Sequence, residues 1–198
     1  MSLDASGTVA GAIVFSKWKG RSYVRRHAIP ANPQSGLQVG IRAMMRFLAP
    51  LWTSMPITNT TWIPLAETDR ISPFNAYIRY NMQRWRQYKP PTDAYPADEG
   101  GTPPSAPTTT VTNGVHSITL TITQGSNPSD IFVIHRGNSG FTPSLSNVIA
   151  ILPNENPAVY VDHPLNAGIY YYRVRGALFT PAHGTWGALE AEVSGSAS

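Results

Sequence analysis

Gly168-Ile169-Tyr170-Tyr171-Tyr172-Arg173-Val174-Arg175 is the stretch on which the fold turns. Strand periodicity of two sends Tyr170, Tyr172 and Val174 to one face and Tyr171, Arg173 and Arg175 to the other. It belongs to a series. Val115 to Thr123 alternates Ile118, Leu120 and Ile122 with Thr119, Thr121 and Thr123, which gives one apolar and one hydroxylated face. Gly125-Ser126-Asn127-Pro128 breaks the chain, and Ile131 to Arg136 begins the next run. Val148 to Leu152, Val159 to Val161 and Leu189 to Val193 complete the set. Six or seven short strands separated by turn clusters predict an antiparallel β-sandwich downstream of Pro104.

Four stretches carry a family likeness. They are Pro104-Ser105-Ala106-Pro107, Phe132-Val133-Ile134-His135-Arg136, Tyr160-Val161-Asp162 and the tyrosine-rich stretch itself. Together they resemble the fibronectin type III fold of the immunoglobulin-like group, over residues 103–195. The resemblance implies that Tyr170 is the corner tyrosine, whose hydroxyl bonds the backbone. The tryptophan usual on the second strand is absent, so Leu120 or Ile122 must fill its space. A fold of this kind does not by itself give a function.

Upstream the composition changes. The chain has 198 residues and a formal charge of +4. Residues 1–100 hold 12 basic and 6 acidic groups, whereas residues 101–198 hold 3 and 5, so the halves have opposite sign. Such asymmetry predicts two modules with different partners. Six prolines and a Gly-Gly pair between Lys89 and Pro107 have the composition of a linker. The expected organisation is therefore a basic module at 1–90, a linker at 91–103 and a sandwich at 104–195. The longest apolar run, Val9 to Phe15, has seven residues. A membrane helix needs about 20, so a soluble chain without membrane contact is expected. Met1-Ser2-Leu3-Asp4 lacks the basic start of an export signal.

The first module reads as α+β, a hairpin followed by helices. Thr8 to Phe15 predicts one strand, Ser16 to Gly20 a turn, and Arg21 to His27 a second strand. Gly20 is free to take positive φ. Arg21, Tyr23, Arg25 and His27 then form a basic and aromatic stripe, beside Lys17, Trp18 and Lys19. Pro30 and Pro33 exclude helix from Ala28 to Gln34. Ser35 and Gln38 form a capping-box pattern. Leu37, Ile41, Met44, Leu48 and Leu51 follow at helical spacing, with Arg42 and Arg46 on another side. Gly36 and Gly40 should weaken that helix by roughly 1 kcal/mol each, and Pro50 should kink or end it. A short helix is expected near Thr60 to Thr68. Ser72 and Pro73 start a further helix that buries Phe74, Tyr77, Ile78, Met82 and Trp85 and exposes Arg79, Gln83 and Arg86.

Ser16-Lys17-Trp18-Lys19-Gly20, Tyr23, Arg25, Asn32-Pro33, Ser35, Gln38, Arg42 and Asn75-Ala76-Tyr77-Ile78-Arg79 resemble a family of uncharacterised phage and prophage proteins. The likeness spans residues 7–90. It implies a virion structural protein, assembled in the host cytoplasm and located in the virion.

Enzyme signatures are missing from the sequence. It has no phosphate-binding Gly-rich loop and no dinucleotide fingerprint. Gly137-Asn138-Ser139-Gly140 is a loop rather than a nucleophile elbow. Cysteine is absent and the five histidines are scattered, so neither metal ligands, cofactor site nor catalytic residues are expected. The basic stripe stands out. A solvated strand face is its plainest reading, and nucleic-acid binding, with Arg on phosphates and Trp18 or Tyr23 on bases, is another. Three Lys against 12 Arg favours docking on an acidic protein surface. The expected partner-binding set is Lys17, Trp18, Lys19, Arg21, Tyr23, Arg25, Arg26, Arg42 and Arg46. The partner would be a capsid, connector or tail protein, with self-association also open. A decoration or minor head protein is the first expectation. A carbohydrate-binding or adhesive module, using Tyr171, Phe141, Phe179 and Trp186, is the alternative.

Overall fold

A computed structural model describes residues 7–9, 13–26, 34–54 and 59–198 of the chain. Strands β1 (Gly7–Val9), β2 (Ile13–Trp18) and β3 (Arg21–Arg26) form an antiparallel sheet in that order. The run expected as one strand from Thr8 to Phe15 is thus two, with Val9 paired to Ile13 and Gly7 to Phe15. The β2–β3 turn has two residues, Lys19 at φ 49° and Gly20 at φ 80°. Both lie in the left-handed region that a primed two-residue turn requires. His27, Asn32 and Pro33 lie outside the described residues.

The chain divides into two compact units, Met1–Pro33 and Gln34–Ser198. The boundary expected at 91–103 is therefore misplaced, and the reason lies in the packing of the second unit. Its helices are α1 (Gly36–Ser54), α2 (Asn59–Asp69) and α3 (Pro73–Arg86), and none among the described residues is long and apolar enough to cross a membrane. Ser72 starts α3 as expected, its hydroxyl accepting from the Asn75 N–H at 3.2 Å. Eight strands follow: β4 (Thr108–Gly114), β5 (Ser117–Thr123), β6 (Ile131–Gly137), β7 (Val148–Pro153), β8 (Ala158–Asp162), β9 (Gly168–Leu178), β10 (Thr185–Leu189) and β11 (Val193–Ala197). One sheet runs β4-β5-β8 and the other β10-β9-β6-β7, with β11 also paired to β9. They form an antiparallel, immunoglobulin-like β-sandwich, its last strand broken into two pieces on β9.

Between the sheets lie Ile118, Leu120, Ile122, Phe132, Ile134, Tyr172 and Val174. Leu120 and Ile122 are fully buried, as the missing tryptophan requires. The Tyr172 ring joins them, its hydroxyl donating to Asp162 Oδ2 at 2.8 Å. Arg136 Nη1 donates to the same oxygen at 2.7 Å. Burial and that carboxylate push the Tyr172 hydroxyl far above its ordinary range. The Tyr170 hydroxyl donates to the Asn166 carbonyl at 3.0 Å, the bond expected of a corner tyrosine.

The second core explains the boundary. Ile131, Val133, Val148, Ala177 and Phe179 face outward from the sandwich, and Met44, Phe47, Leu48, Trp62, Tyr77 and Trp85 of the helices cover them. Strand β6 is buried on both faces from Ile131 to His135 for this reason. Leu37, expected in the core, is 52% exposed, and Phe47 takes the buried position instead. Gly40 and Gly36 are required rather than merely tolerated. A Cβ on Gly40 would stand 2.5 Å from the Leu145 carbonyl oxygen, and one on Gly36 would stand 1.9 Å from that of Ser146. Segment 91–103 is a belt, not a linker. Thr92 and Asn81 exchange two hydrogen bonds, Trp62 Nε1 donates to the Asp93 carbonyl, and the Ala182 N–H donates to Asp93 Oδ1.

His135 sits at this seam. Its Nε2 is 2.7 Å from the Tyr88 hydroxyl and its Nδ1 is 3.2 Å from the Arg173 carbonyl. Burial, aided by the nearby Arg175 charge, lowers its pKa to about 4. The folded pKa lies below the unfolded value of 6.5, so the unfolded chain takes up the proton first. This contribution is complete at neutral pH and is lost as pH falls from 6.5 towards 4, by about 3 kcal/mol. Burial raises the Glu190 and Asp93 carboxyls, and these act in the opposite sense. Melting His135→Gln and wild type at pH 7 and pH 4.5 isolates the effect, since the other groups are common to both. The variant should lose markedly less stability on acidification than wild type does.

Candidate docking surface

None of the residues whose burial is described in the first unit is fully buried. Phe15 on β2 stands opposite Val24 on β3, Ile13 opposite Arg26, and Lys17 opposite Ser22. These residues share one face. Val14 with Arg25, Ser16 with Tyr23, and position 18 with Arg21 form the other set of pairs. All six residues of β3 are exposed, on both faces. Val24 is 58% exposed, Ile13 42% and Tyr23 40%. A small sheet needs a covered apolar face for independent stability, and among the described residues this one leaves Ile13 and Val24 exposed and Val14 and Phe15 only half-buried.

Charge follows the same division. Residues 1–33 carry Lys17, Lys19, Arg21, Arg25 and Arg26 against the single acid Asp4. Residues 34–198 carry ten basic and ten acidic groups. The whole formal charge of +4 therefore resides in the first unit, and the second is neutral. Its carboxylates have local partners. Asp162 holds Arg136, Asp69 holds Arg79, and Glu99 holds Arg84 and Lys89. The Asp130 carboxylate accepts from the backbone N–H groups of Phe179 and Thr180.

Of the nine expected binding residues, seven (Lys17, Trp18, Lys19, Arg21, Tyr23, Arg25 and Arg26) lie on one hairpin. Arg21, Tyr23 and Arg25 share a face as expected, but Arg26 lies on the opposite one with Val24. Arg42 and Arg46 belong to the second unit. They are exposed on α1 and line a shallow cleft with Gln34, Val39, Ala43 and Ile149. Sequence reasoning did not mark Ile13 and Val24 as part of the surface. Their alternation with Val14, Ser16 and Tyr23 was the available signal.

The aromatic set suggested for sugar binding does not assemble. Phe179 is buried in the helix-facing core. Trp186 packs beneath Arg175 at 4.7 Å and donates from Nε1 to the Tyr88 carbonyl. Phe141 lies under the Arg173 guanidinium at 5.9 Å.

No protein-family model and no curated protein sequence matches the chain. Solved structures with a partial likeness include pectate lyase PelI from Erwinia chrysanthemi in complex with tetragalacturonic acid. It is 18% identical, over 46% of this chain and 27% of that one, with a TM-score of 0.35. The chicken interferon gamma receptor alpha chain is 13% identical, over 47% of this chain and 50% of that one, with a TM-score of 0.36. At these scores neither likeness bears on function.

Proposed function

We propose that the chain is a non-enzymatic structural protein of a phage particle, a decoration or minor head protein. It docks through its basic hairpin onto an acidic protein surface and presents a sandwich of the fibronectin type III kind. The observation that carries the docking reading is the hairpin itself: six consecutive exposed residues on β3, with the molecule's entire net charge in that unit. The corner bond of Tyr170 supports the fibronectin type III assignment. The particle comes from the sequence resemblance of residues 7–90. Arginine and aromatic residues on an exposed strand suit a protein interface, where such side chains supply most of the binding energy. Repeated copies on a lattice would let a modest interface hold by multivalency.

Arg25→Glu tests this reading. Surface substitutions usually move stability by no more than about 0.5 kcal/mol, so the variant should melt like wild type. Reversing one member of a close charge pair should cost the interface at least about 2–5 kcal/mol, which is a loss of more than thirtyfold in affinity. The measurement is incorporation into particles purified from the source host, with Arg86→Glu on α3 as the matched control. Wild-type incorporation of Arg25→Glu would refute docking through this face. Salt-dependent retention of oligonucleotide by wild type would move the reading to nucleic acid.

A further inference from the structure

Strand β3 has β2 as its only strand partner among the described residues. The geometry of the turn shows which backbone groups face the other way. In a two-residue hairpin the residues flanking the turn form a hydrogen-bonded pair, and pairs of the two kinds then alternate. Trp18 with Arg21 is that flanking pair, followed by Ser16 with Tyr23 and Val14 with Arg25. Arg21, Tyr23 and Arg25 therefore direct their N–H and C=O groups towards β2. Val24 and Arg26 fall in the intervening pairs, opposite Phe15 and Ile13, and direct theirs to the open edge.

We propose that β3 binds its partner by strand addition, accepting an extended acidic segment of another protein along the edge formed by Val24 and Arg26. This rests on the docking reading above and specifies how that docking occurs. Main-chain bonds give such an interface its affinity, and alternating side chains give it specificity. An added strand would place its own alternating residues beside Arg21, Tyr23 and Arg25 on one face and beside Val24 and Arg26 on the other. Carboxylates on the first face and apolar groups next to Val24 match both. A second copy suits this edge less well. Pairing β3 with itself would bring two strands of three arginines each side by side with no acidic residue on either, which is unfavourable in a sheet.

The probe is a synthetic octapeptide of alternating glutamate and valine, set against the same peptide N-methylated at alternate residues along one edge. Methylation keeps charge and side chains but removes the main-chain donors. Both are titrated into the full chain, with amide hydrogen exchange read at Val24 and Arg26. Binding of the unmodified peptide should slow exchange at these two amides at least tenfold, and methylation should weaken binding at least tenfold. Val24→Pro should weaken it similarly. It removes an outward N–H and no bond to β2, and proline is tolerated on a strand edge at such a position. A far-ultraviolet spectrum and melting curve matching wild type establish that this variant folds. Arg25→Glu should also lose binding. If both peptides bind alike and only Arg25→Glu fails, docking by charge stands and strand addition is overturned. If neither peptide binds, both readings fall.

Discussion

A fragment comprising residues 103–198 should not fold as a stable monomer. It contains every strand of the sandwich, yet removing the helices bares Ile131, Val133, Val148 and Phe179, each no more than 1% exposed in the intact chain. Burial of one such side chain contributes about 1.5–3 kcal/mol, so the four together contribute roughly 6–12 kcal/mol. Domain stabilities are only about 5–15 kcal/mol, so little would remain. The fragment should bind a hydrophobic dye, self-associate in sedimentation and lack a cooperative urea transition. A second fragment, 34–198, should unfold in one transition close to that of the whole chain. A monomeric 103–198 fragment with a cooperative melt would show that the helices are an ornament on a self-sufficient sandwich.

Replacing Arg84 with methionine should be the most damaging single substitution away from the apolar cores. The guanidinium is buried on α3 and bridges three segments. Its Nε donates to the Pro90 carbonyl at 2.9 Å, Nη2 to the Gly184 carbonyl at 3.0 Å, and Nη1 to Glu99 at 3.1 Å. A Cβ on Gly184 would stand 2.3 Å from Nη2, so the backbone there approaches as only glycine allows. Methionine replaces the aliphatic stem and leaves two carbonyls without a donor. Each unsatisfied buried group costs about 1–3 kcal/mol. In a chain of this size that is a fall of about 10 °C in Tm. Glu99→Gln should change Tm little, because that carboxylate is exposed and its ion pairs are solvated. Limited proteolysis gives a second readout. Wild type should resist cleavage between Lys89 and Gly101, and Arg84→Met should be cut there. A Tm within 2 °C of wild type would mean that other contacts hold the belt.

The sandwich was legible because alternation is a local signal. Ile118, Leu120 and Ile122 declare one buried face without reference to anything distant in the chain. The corner role of Tyr170 came instead from the family resemblance, and its hydroxyl does bond the Asn166 carbonyl. The third layer was not legible from the same cues. Nothing in Val133 or Phe179 alone says that their outward face meets a helix rather than water. The prolines of 90–104 misled for a physical reason. Proline and glycine describe a backbone that makes few ladder bonds, which suits a loose tether and a pinned belt equally. Asn81, Arg84 and Asp93 distinguish the two, and their partners lie as far away as Ala182 and Gly184. Gly36 and Gly40 read as helix weakeners because propensity considers one helix alone, whereas the carbonyls they accommodate belong to another segment. On the hairpin, residue order gave the stripe of Arg21, Tyr23 and Arg25. The division of β1 from β2 left no such mark, since Val9 and Ile13, which pair, lie within one continuous apolar run.

The separation of charge between the two units also governs crowding. Like-charged bodies repel when their surfaces come within about 8–10 Å at physiological ionic strength. Here the larger unit has as many anions as cations, so copies held side by side would meet no such barrier. On the docking proposed above, their spacing would follow the repeat of the partner surface, and raising the salt would weaken the hold of the basic hairpin more than any contact between the neutral units.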